Sequence, residues 1–445
     1  MVEHNSEEIQ PIASSAYFAS LTIENVKCFK EEQTIDLFDG NDKPAMWTVI
    51  LGENNTGKTT LLRCLADLEA KSMYPLSSSS NESGSKVACY KPKIISNKPH
   101  WKSVFIEGLS MRIESELFLK KENDFTLKKW MAYTSAVPPF FWLTDSYRKS
   151  NHSLDKLIIY GYGTNRRAGK NYLTAKDQQD NTETLFDDKA VLNNIEEWLL
   201  QLHLAKALGK ENAKQAEKIL EKVTQILISG ILPDVQEFDV DTREDFSGFI
   251  KFNTDYGWVK LKELGYGYQS ITTLVLDLVK KMFERYPESD NPLKEPAIVL
   301  IDEIDLHLHP EWQRRIIKFL SKQFPKTQFI VTAHSPLIVQ SAENINLVIL
   351  EKQDDHVIIN QYPKPRSFEG WTLDEILMDL MGLDERVSSD KYLEIMQNFD
   401  DALDEENYEK AKQAYDDLEK ILHPASHQRK LLRIQMASLM PTAAS

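Results

Sequence analysis

The sequence predicts an α/β protein built around a parallel β-sheet. Two patterns indicate this class: apolar strand-like runs that end in glycine-rich turns opening helices, and a strand–helix–strand unit near residue 300. Of the 445 residues, 42% are hydrophobic and 27% are charged, and the formal net charge is −15. This composition is typical of a globular protein, and the acidic balance disfavours bulk electrostatic binding to a nucleic-acid backbone.

Cysteine content and apolar runs predict the compartment. Cys28, Cys64 and Cys89 show no paired spacing, and no charged-then-apolar leader precedes the first strand-like segment. Neither a disulfide framework nor secretion is therefore indicated. The longest apolar runs are far shorter than the roughly 20 residues that a membrane span needs. We expect a cytoplasmic protein with no membrane partner.

The first strand–loop–helix unit follows two short predicted strands, at residues 17–26 and 34–37. An apolar, β-branched run at residues 46–51 leads into a loop at residues 52–59, and helical spacing of apolar residues follows. The loop fits the pattern G-x-x-x-x-G-K-[ST], and it lies between a strand and a helix as phosphate binding requires. We call this loop, residues 52–59, the P-loop.

The P-loop predicts a site for ATP and Mg²⁺, with an ordinary turn as the alternative. Its backbone N–H groups and the helix N-terminus attract phosphates, Lys58 reaches the β and γ oxygens, and the Thr59 hydroxyl ligates magnesium. The predicted ATP-binding residues are Gly52, Asn54, Asn55, Thr56, Gly57, Lys58, Thr59 and Thr60.

A second apolar strand, residues 297–301, ends in the acid pair Asp302 and Glu303. Such an arrangement puts one acid at the magnesium ion and the next near the attacking water. Asp302 is therefore a predicted metal ligand, together with Thr59, and Glu303 is the predicted general base. The alternative is a helix N-cap, because acidic side chains suit that end of a helix.

His334 follows the next strand-like run, residues 329–332, and is the second predicted catalytic residue. A neutral imidazole there can hydrogen-bond a γ-phosphate or the base, whereas a buried histidine at a strand end is the alternative. His307 and His309 also suggest a zinc site, but no third ligand stands at zinc spacing. Because Pro310 marks a helix start after His309, a surface or dimer-facing loop is favoured.

One tight basic cluster, Arg166, Arg167 and Lys170, lies just after a predicted strand at residues 157–160. Two interpretations remain open for it. It is either a contact for phosphate or nucleic acid, or a solvated turn.

The remaining segments predict two insertions and a tail. Residues 77–86 are low-complexity and predict a mobile surface insertion, and residues from about 185 to 232 predict an inserted helical region. The nucleotide-binding domain spans residues 17–350, and residues 351–445 form a mainly helical region for a partner or oligomer contact. Between positions 371 and 420, 16 acidic and 5 basic residues give 5 − 16 = −11, so this region is strongly acidic.

The P-loop, the segment Leu264-Gly265-Tyr266-Gly267-Tyr268-Gln269, the acid pair and His334 occur in an order that resembles the ABC-type ATPase heads shared by SMC, RecF and overcoming-lysogenisation-defect (OLD) proteins. The resemblance covers about residues 17–350. It implies an α/β P-loop NTPase of ABC-ATPase head type, here with an inserted helical region and a helical C-terminal tail. It also implies that His334 is the switch histidine.

The same resemblance implies that residues 264–269, the signature segment, stand in for the family signature Leu-Ser-x-Gly-x-Gln. The residues expected to contact the ATP of the other subunit in a head-to-head dimer are Leu264, Gly265, Gly267, Tyr268 and Gln269. Gly265 replaces the signature serine. The usual Q-loop glutamine is not evident, and residues 161–167 occupy its place.

A closer similarity is to the PtuA family of ATPase subunits in Septu-type and some retron anti-phage systems. It is carried by the turn from Tyr162 to Arg166, the Gly-Tyr-Gly-Tyr-Gln signature, and residues 370–377 before the acidic tail. The resemblance implies a homo-oligomer that recruits an HNH nuclease subunit, PtuB, through its C-terminal region, with DNA or retron nucleic acid as a further class of partner.

The expected function is thus an ATP-binding and hydrolysing subunit of an anti-phage complex, a switch whose nucleotide-gated dimerisation controls the nuclease. One alternative is a RecF- or SMC-like DNA-binding repair ATPase. The other is an OLD-like ATPase that is itself a nuclease, which would need a Toprim domain. The mostly helical residues after 350 give that domain neither the room nor the strands.

Overall fold

The structure is a computed structural model that describes residues 16–41, 43–68, 111–121, 124–134, 158–169, 180–228, 232, 235–244, 248–362, 364–383 and 389–439. The insertion predicted at residues 77–86 and the side chain of Lys170 lie outside these ranges. The chain divides into two compact units, Met1–Trp371 and Thr372–Ser445. This division falls later in the chain than the predicted boundary at residue 350.

The first unit is centred on a six-stranded sheet. Its strands are β3 (Trp47–Gly52), β6 (Ile159–Tyr162), β10 (Ala297–Ile301), β11 (Thr327–Thr332), β12 (Asn346–Gln353) and β13 (His356–Gln361). The spatial order is β13-β12-β3-β11-β10-β6, and all pairs are parallel except β12 with β13. Every residue of β10 and β11 is buried, as continuous apolar runs in a covered parallel sheet should be. The predicted α/β class is confirmed.

A second, antiparallel sheet contains β1 (Ala16–Glu24), β2 (Gln33–Asp36), β4 (Met111–Lys121) and β5 (Asp124–Thr134), in the order β2-β1-β4-β5. Buried side chains of β1, such as Leu21 and Ile23, share one core with Ile330 of the central sheet. The buried Gln328 amide also joins the two sheets, because it accepts from the Phe18 N–H (2.8 Å) and donates to the Phe18 carbonyl (2.9 Å). The sequence indicated the first two of these strands only.

Eight helices of the first unit lie within the described ranges. They are α1 (Lys58–Asp67), α2 (Glu183–Phe186), α3 (Ile195–Leu208), α4 (Ala213–Ile226), α5 (Tyr266–Arg285), α6 (Pro310–Gln313), α7 (Ile316–Gln323) and α8 (Pro336–Gln340). No helix in the described part of the chain is long and apolar enough to cross a membrane.

The inserted helical region contains a helix pair rather than one long helix. Gly209 ends α3 in a left-handed conformation with φ 64°, which glycine adopts without strain. A small antiparallel sheet follows, made of β7 (Val235–Thr242), β8 (Gly248–Thr254) and β9 (Gly257–Lys260). The apolar residues at positions 249–252 and 258–261 predict β8 and β9 from the sequence, whereas β7 was not predicted.

The second unit is helical, with α9 (Leu373–Asp379), α10 (Asp390–Asp404), α11 (Tyr408–Ile421) and α12 (His427–Ser438). The side chains of Thr372, Ser389, Asn407 and Ser426 cap the four helices. The buried core comprises Phe399, Ala402, Ala411, Ala414, Leu418, Leu432 and Met436.

The charged tail therefore has a core of its own. From the sequence, the high charge and few large apolar residues of positions 400–420 predict a hairpin with little to bury unless a partner docks there. The observed core shows that this prediction is wrong. Alanines let α10 and α11 approach closely, and α12 adds Leu432 and Met436 to their apolar contacts. The sequence also predicts a set of apolar anchors for a partner, namely Trp371, Ile376, Leu377, Leu380 and Met381. Of these, Ile376 (0% exposed) and Leu380 (2%) are buried. Trp371 packs edge to face on Phe368 within the first unit, with ring centroids 5.2 Å apart.

Candidate nucleotide-binding site

Three predicted motifs meet at one edge of the central sheet. β3, β11 and β10 are parallel neighbours, so their carboxyl ends lie side by side. The P-loop follows β3, the acid pair follows β10, and His334 comes two residues after β11. Motifs that are far apart in the sequence are thus brought together at the edge where parallel sheets bind ligands.

The P-loop has the backbone that its glycines allow. Gly57 has φ 90° and caps α1, and an added Cβ there would lie 2.8 Å from the Cys28 sulfur and 2.7 Å from the Phe29 ring. No larger residue fits without movement of the 28–29 turn. Asn54 and Asn55 are exposed on the loop, whereas Thr56 and Thr60 are buried.

The Lys58 ammonium is folded over its own loop. Nζ donates to the carbonyls of Gly52 and Glu53, each at 2.7 Å. Burial lowers the pKa of Lys58, and the nearby carboxylates of Asp302, Glu303 and Asp305 oppose that shift. A cation beside the N-terminus of α1 and exposed loop N–H groups form a surface suited to phosphate oxygens.

Asp302 joins the P-loop to the neighbouring strands. Its Oδ2 accepts from the Thr59 hydroxyl at 2.7 Å, and its Oδ1 accepts from the Thr332 hydroxyl at 2.6 Å. The side chain is buried, at 4% exposure. Hydroxyl and carboxylate oxygens are hard donors, so Thr59 and Asp302 fit the magnesium ion that was predicted for them.

Glu303 has a left-handed backbone, with φ 49°. L-residues disfavour this conformation, so the surrounding structure must hold it. The Glu303 N–H donates to the Thr332 hydroxyl at 2.7 Å. Thr332, which the sequence did not single out, therefore contacts both members of the acid pair.

Arg166 of the basic cluster is neither a solvated turn residue nor an exposed contact. It is 3% exposed and donates to the backbone carbonyls of Asp302 (2.5 Å), Glu303 (2.7 Å) and Gly163 (3.2 Å). Its guanidinium is thus turned inward, toward the turn that carries the acid pair. Arg167 is exposed and donates to the Tyr266 hydroxyl at 3.3 Å.

His334 is placed by Asp305. The His334 backbone N–H donates to the buried Asp305 carboxylate, at 3.1 and 3.3 Å. Asp305 comes three residues after Asp302, so the loop after the acid pair also fixes the start of the segment that carries the predicted switch histidine. This partner was not predicted.

The signature segment opens α5, and much of it contacts its own chain. The Gln269 amide donates to the Leu264 carbonyl at 2.7 Å and to the Lys262 carbonyl at 3.2 Å. Tyr268 packs edge to face against Trp312, with ring centroids 6.5 Å apart. Gly265 has open space, because an added Cβ would meet only the Tyr268 ring, at 3.8 Å.

Gly267 is required by contact with the loop after the acid pair. An added Cβ would lie 2.2 Å from the His307 carbonyl oxygen. Tyr266 also meets the His307 ring edge to face, at 4.8 Å between centroids. His309 is used as the cap of α6, where its Nδ1 accepts from the Glu311 N–H. The described residues contain no cluster of three or more metal-ligating side chains.

A buried polar group links α5 to β6. Asp277 is fully buried and accepts from the Tyr162 hydroxyl (3.0 Å), from Asn193 and from the Lys281 ammonium (2.8 Å). Burial alone would raise the pKa of Asp277, but Lys281 and the Asn193 donors outweigh it, so the pKa lies below its usual value. The signature helix is thereby anchored to the strand beside β10.

Comparison with known families finds two domain models that match this chain. A model described as an AAA domain matches residues 20–229, and a second AAA model, named for the AbiEii toxin of a type IV TA system, matches residues 199–340. The Septu protein PtuA of Bacillus thuringiensis is 38% identical over 213 residues, which is 47% of this chain and 53% of that protein. Two AAA domain models thus match the chain between residues 20 and 340, and about half of the chain is similar to PtuA.

Two further likenesses extend along the AAA domain. A retron Vc95 probable ATPase of Vibrio cholerae serotype O1 biovar El Tor is 24% identical over 402 residues, covering 76% of this chain and 74% of that protein. An SMC head solved with the C-winged helix domain of ScpA covers 80% of this chain and all of that one, at 15% identity and TM-score 0.40. The chain spans about half the length of the PtuA relative.

Proposed function

We propose that this chain binds and hydrolyses ATP at the sheet edge and serves as the ATPase subunit of an anti-phage defence complex. One observation carries the proposal: the P-loop hydroxyl of Thr59 and the carboxylate of Asp302 lie 2.7 Å apart, after the ends of β3 and β10, the parallel strands on either side of β11. The relationship to PtuA and to a retron ATPase supports the biological setting.

In this proposal each residue has a distinct role. The P-loop N–H groups and Lys58 hold the phosphates, and the Lys58 ammonium exchanges its loop carbonyls for phosphate oxygens. Thr59 and Asp302 would hold Mg²⁺, which would supply positive charge to neutralise the phosphates. Glu303 takes a proton from the attacking water, and His334 contacts the γ-phosphate.

Hydrolysis requires two heads in this proposal. The signature segment of one head faces the ATP of the other, and Gly265, at the N-terminus of the long helix α5, has the free space such an approach needs. Tyr266 is 47% exposed beside it. Gly267, Tyr268 and Gln269 also make contacts within their own chain, and these contacts hold the segment in shape.

The C-terminal unit recruits a nuclease of HNH type in the same proposal. Support comes from α12, where Leu431 (57% exposed) and Ile434 (68%) form an apolar pair beside the basic Arg433. Exposed apolar side chains rimmed by charge are typical of protein interaction surfaces. The acidic α10 offers a complementary surface for a basic partner.

Replacing the base tests the ATPase proposal. Glu303→Gln should still bind ATP but hydrolyse it about 100-fold more slowly, because it removes a general base. The variant should accumulate as an ATP-bound dimer in sedimentation experiments, while the parent protein with ADP should not. Hydrolysis at the parent rate would refute the role given to Glu303.

A further inference from the structure

We propose that Arg166 and Thr332 are positioning residues that hold the acid pair in its hydrolytic geometry. The inference rests on the proposed ATPase function and deepens it. Thr332 belongs to none of the motifs used to predict the site, and Arg166 was predicted only as a candidate contact for phosphate or nucleic acid. Both reach the turn after β10 from neighbouring strands, Arg166 from the segment after β6 and Thr332 from the end of β11.

Arg166 fixes the two carbonyl groups of the acid pair. A single nitrogen, Nη2, donates to the carbonyls of Asp302 and Glu303, and Nε donates to Gly163. All three acceptors are backbone oxygens, so the guanidinium holds the backbone of this turn in place. The guanidinium is planar and has several donors in fixed positions, so it can bond two successive carbonyls and also that of Gly163. A lysine ammonium on a flexible stem does this less well.

Burying the charged side chain of Arg166 costs free energy, so its buried position indicates a specific role. The guanidinium is 3% exposed, and every hydrogen bond described for it is to a backbone carbonyl. A buried charge is retained only where its bonds are well made. A structural role at the surface would not require this burial.

Thr332 fixes the same turn through one hydroxyl. It donates to Asp302 Oδ1 at 2.6 Å and accepts from the Glu303 N–H at 2.7 Å. The hydroxyl thereby orients the predicted metal-binding carboxylate and pins the peptide that precedes Glu303. Serine could make both bonds, whereas valine, which has nearly the same shape, could make neither.

Glu303 shows what the two residues hold in place. Its backbone is left-handed, with φ 49°, which an L-residue adopts only under constraint. Thr332 holds the N–H of Glu303 and Arg166 holds its carbonyl, so the peptide groups on both sides are fixed. The direction of the Glu303 side chain follows from those two peptides, and a misplaced base loses rate even when substrate still binds.

The deciding experiment compares Thr332→Val with Thr332→Ser in the full chain. We expect the valine variant to lose at least about 10-fold in kcat, since the base is no longer held, with little change in KM or in the Kd for Mg·ATP. It should also accumulate the ATP-bound dimer, as Glu303→Gln does. The serine variant should stay within about threefold of the parent, because one hydroxyl makes the same two bonds.

Arg166→Lys should show the same loss in kcat, and Arg285→Lys, at an exposed position of α5, is its control. Thermal melting of each variant separates positioning from folding. The inference is overturned if Thr332→Val turns over ATP like the parent. It is also overturned if its loss of kcat is matched by equal losses of ATP affinity and melting temperature. A parent protein that never hydrolyses ATP would instead refute the proposed function itself.

Discussion

The nucleotide edge of the central sheet and the C-terminal unit are stabilised in opposite ways. At the sheet edge, charged groups are buried and paired: Asp302 accepts from two hydroxyls, and Arg166 donates to three carbonyls. In the C-terminal unit, small apolar groups such as Ala402 and Ala411 are buried and the charges lie outside. We therefore expect the loss of one polar atom to impair function at the sheet edge. In the helical unit, we expect function to depend on the exposed surface instead.

The largest expected effect is at the P-loop. Lys58→Ala should abolish ATP binding, because the β and γ phosphate charges lose their cation. Titration calorimetry with Mg·ATP would measure the loss, and Lys318→Ala, at an exposed position of α7, is the control. If Lys58→Ala still bound ATP, the nucleotide would bind elsewhere. The contrast drawn between the sheet edge and the C-terminal unit would then lose its basis.

The next largest effect is a difference in stability between alanine substitutions at Gly267 and at Gly265. The family resemblance alone predicts that Gly267→Asp blocks closure of two heads while sparing the single head, because its carboxylate would face the γ-phosphate of the other subunit. In the structure, however, a side chain at Gly267 would first meet the His307 carbonyl of its own chain. Gly267→Ala should therefore cost about 1–3 kcal/mol of unfolding free energy through overpacking. Gly265→Ala, which meets only open space, should melt like the parent. Equal melting of the two variants would contradict the packing given to Gly267.

In the C-terminal unit, a surface change should act on partner binding alone. Ile434→Asp should leave the unfolding free energy within about 0.5 kcal/mol, because the side chain is 68% exposed. It should prevent co-purification of the nuclease while ATP hydrolysis persists. Gln413→Asp, exposed on α11, adds the same charge elsewhere. Should Ile434→Asp retain the nuclease, a chain ending at Trp371 would tell whether any of the C-terminal unit takes part.

The smallest expected effect is a gain in the strength of ATP-dependent dimerisation. Gly265→Ser restores the serine of the family signature at a position where its Cβ has room. One added hydrogen bond across the dimer contributes about 0.5–1.5 kcal/mol, so ATP-dependent dimerisation should strengthen by roughly 2- to 10-fold. Analytical sedimentation would measure it. If Gly265→Ala gave the same gain, the hydroxyl would not be its cause.

The sequence predicted the motifs whose residues are neighbours in the chain, and it missed the contacts between them. The P-loop and the acid pair are each contained in one short segment, so spacing alone identifies them. The Arg166 nitrogen and the Asp302 carbonyl belong to residues 136 positions apart, and only the parallel pairing of β6 with β10 brings them together. Thr332 stands two residues before His334, but nothing in its spacing reveals a hydroxyl bonded to both acids.

The C-terminal unit escaped sequence reasoning for a different physical reason. Its charge count suggested helices with nothing to bury, yet Ala411 and Ala414 form part of a tight core. Alanine contributes little apolar area, so hydrophobic patterning gives a weak signal for such contacts. Gly209 shows the same limit in the inserted region, since a glycine inside a helical pattern does not by itself say whether the helix ends there.

The alanine-lined packing of α10 and α11 has a thermodynamic consequence. A core that removes little apolar area from water has a small folding free energy, so the C-terminal unit should open at lower temperature or denaturant concentration than the central sheet. Any protein that binds only its folded form adds to that free energy by mass action. The melting of these helices would then report, in a cell extract as well as in a cuvette, whether the partner is bound.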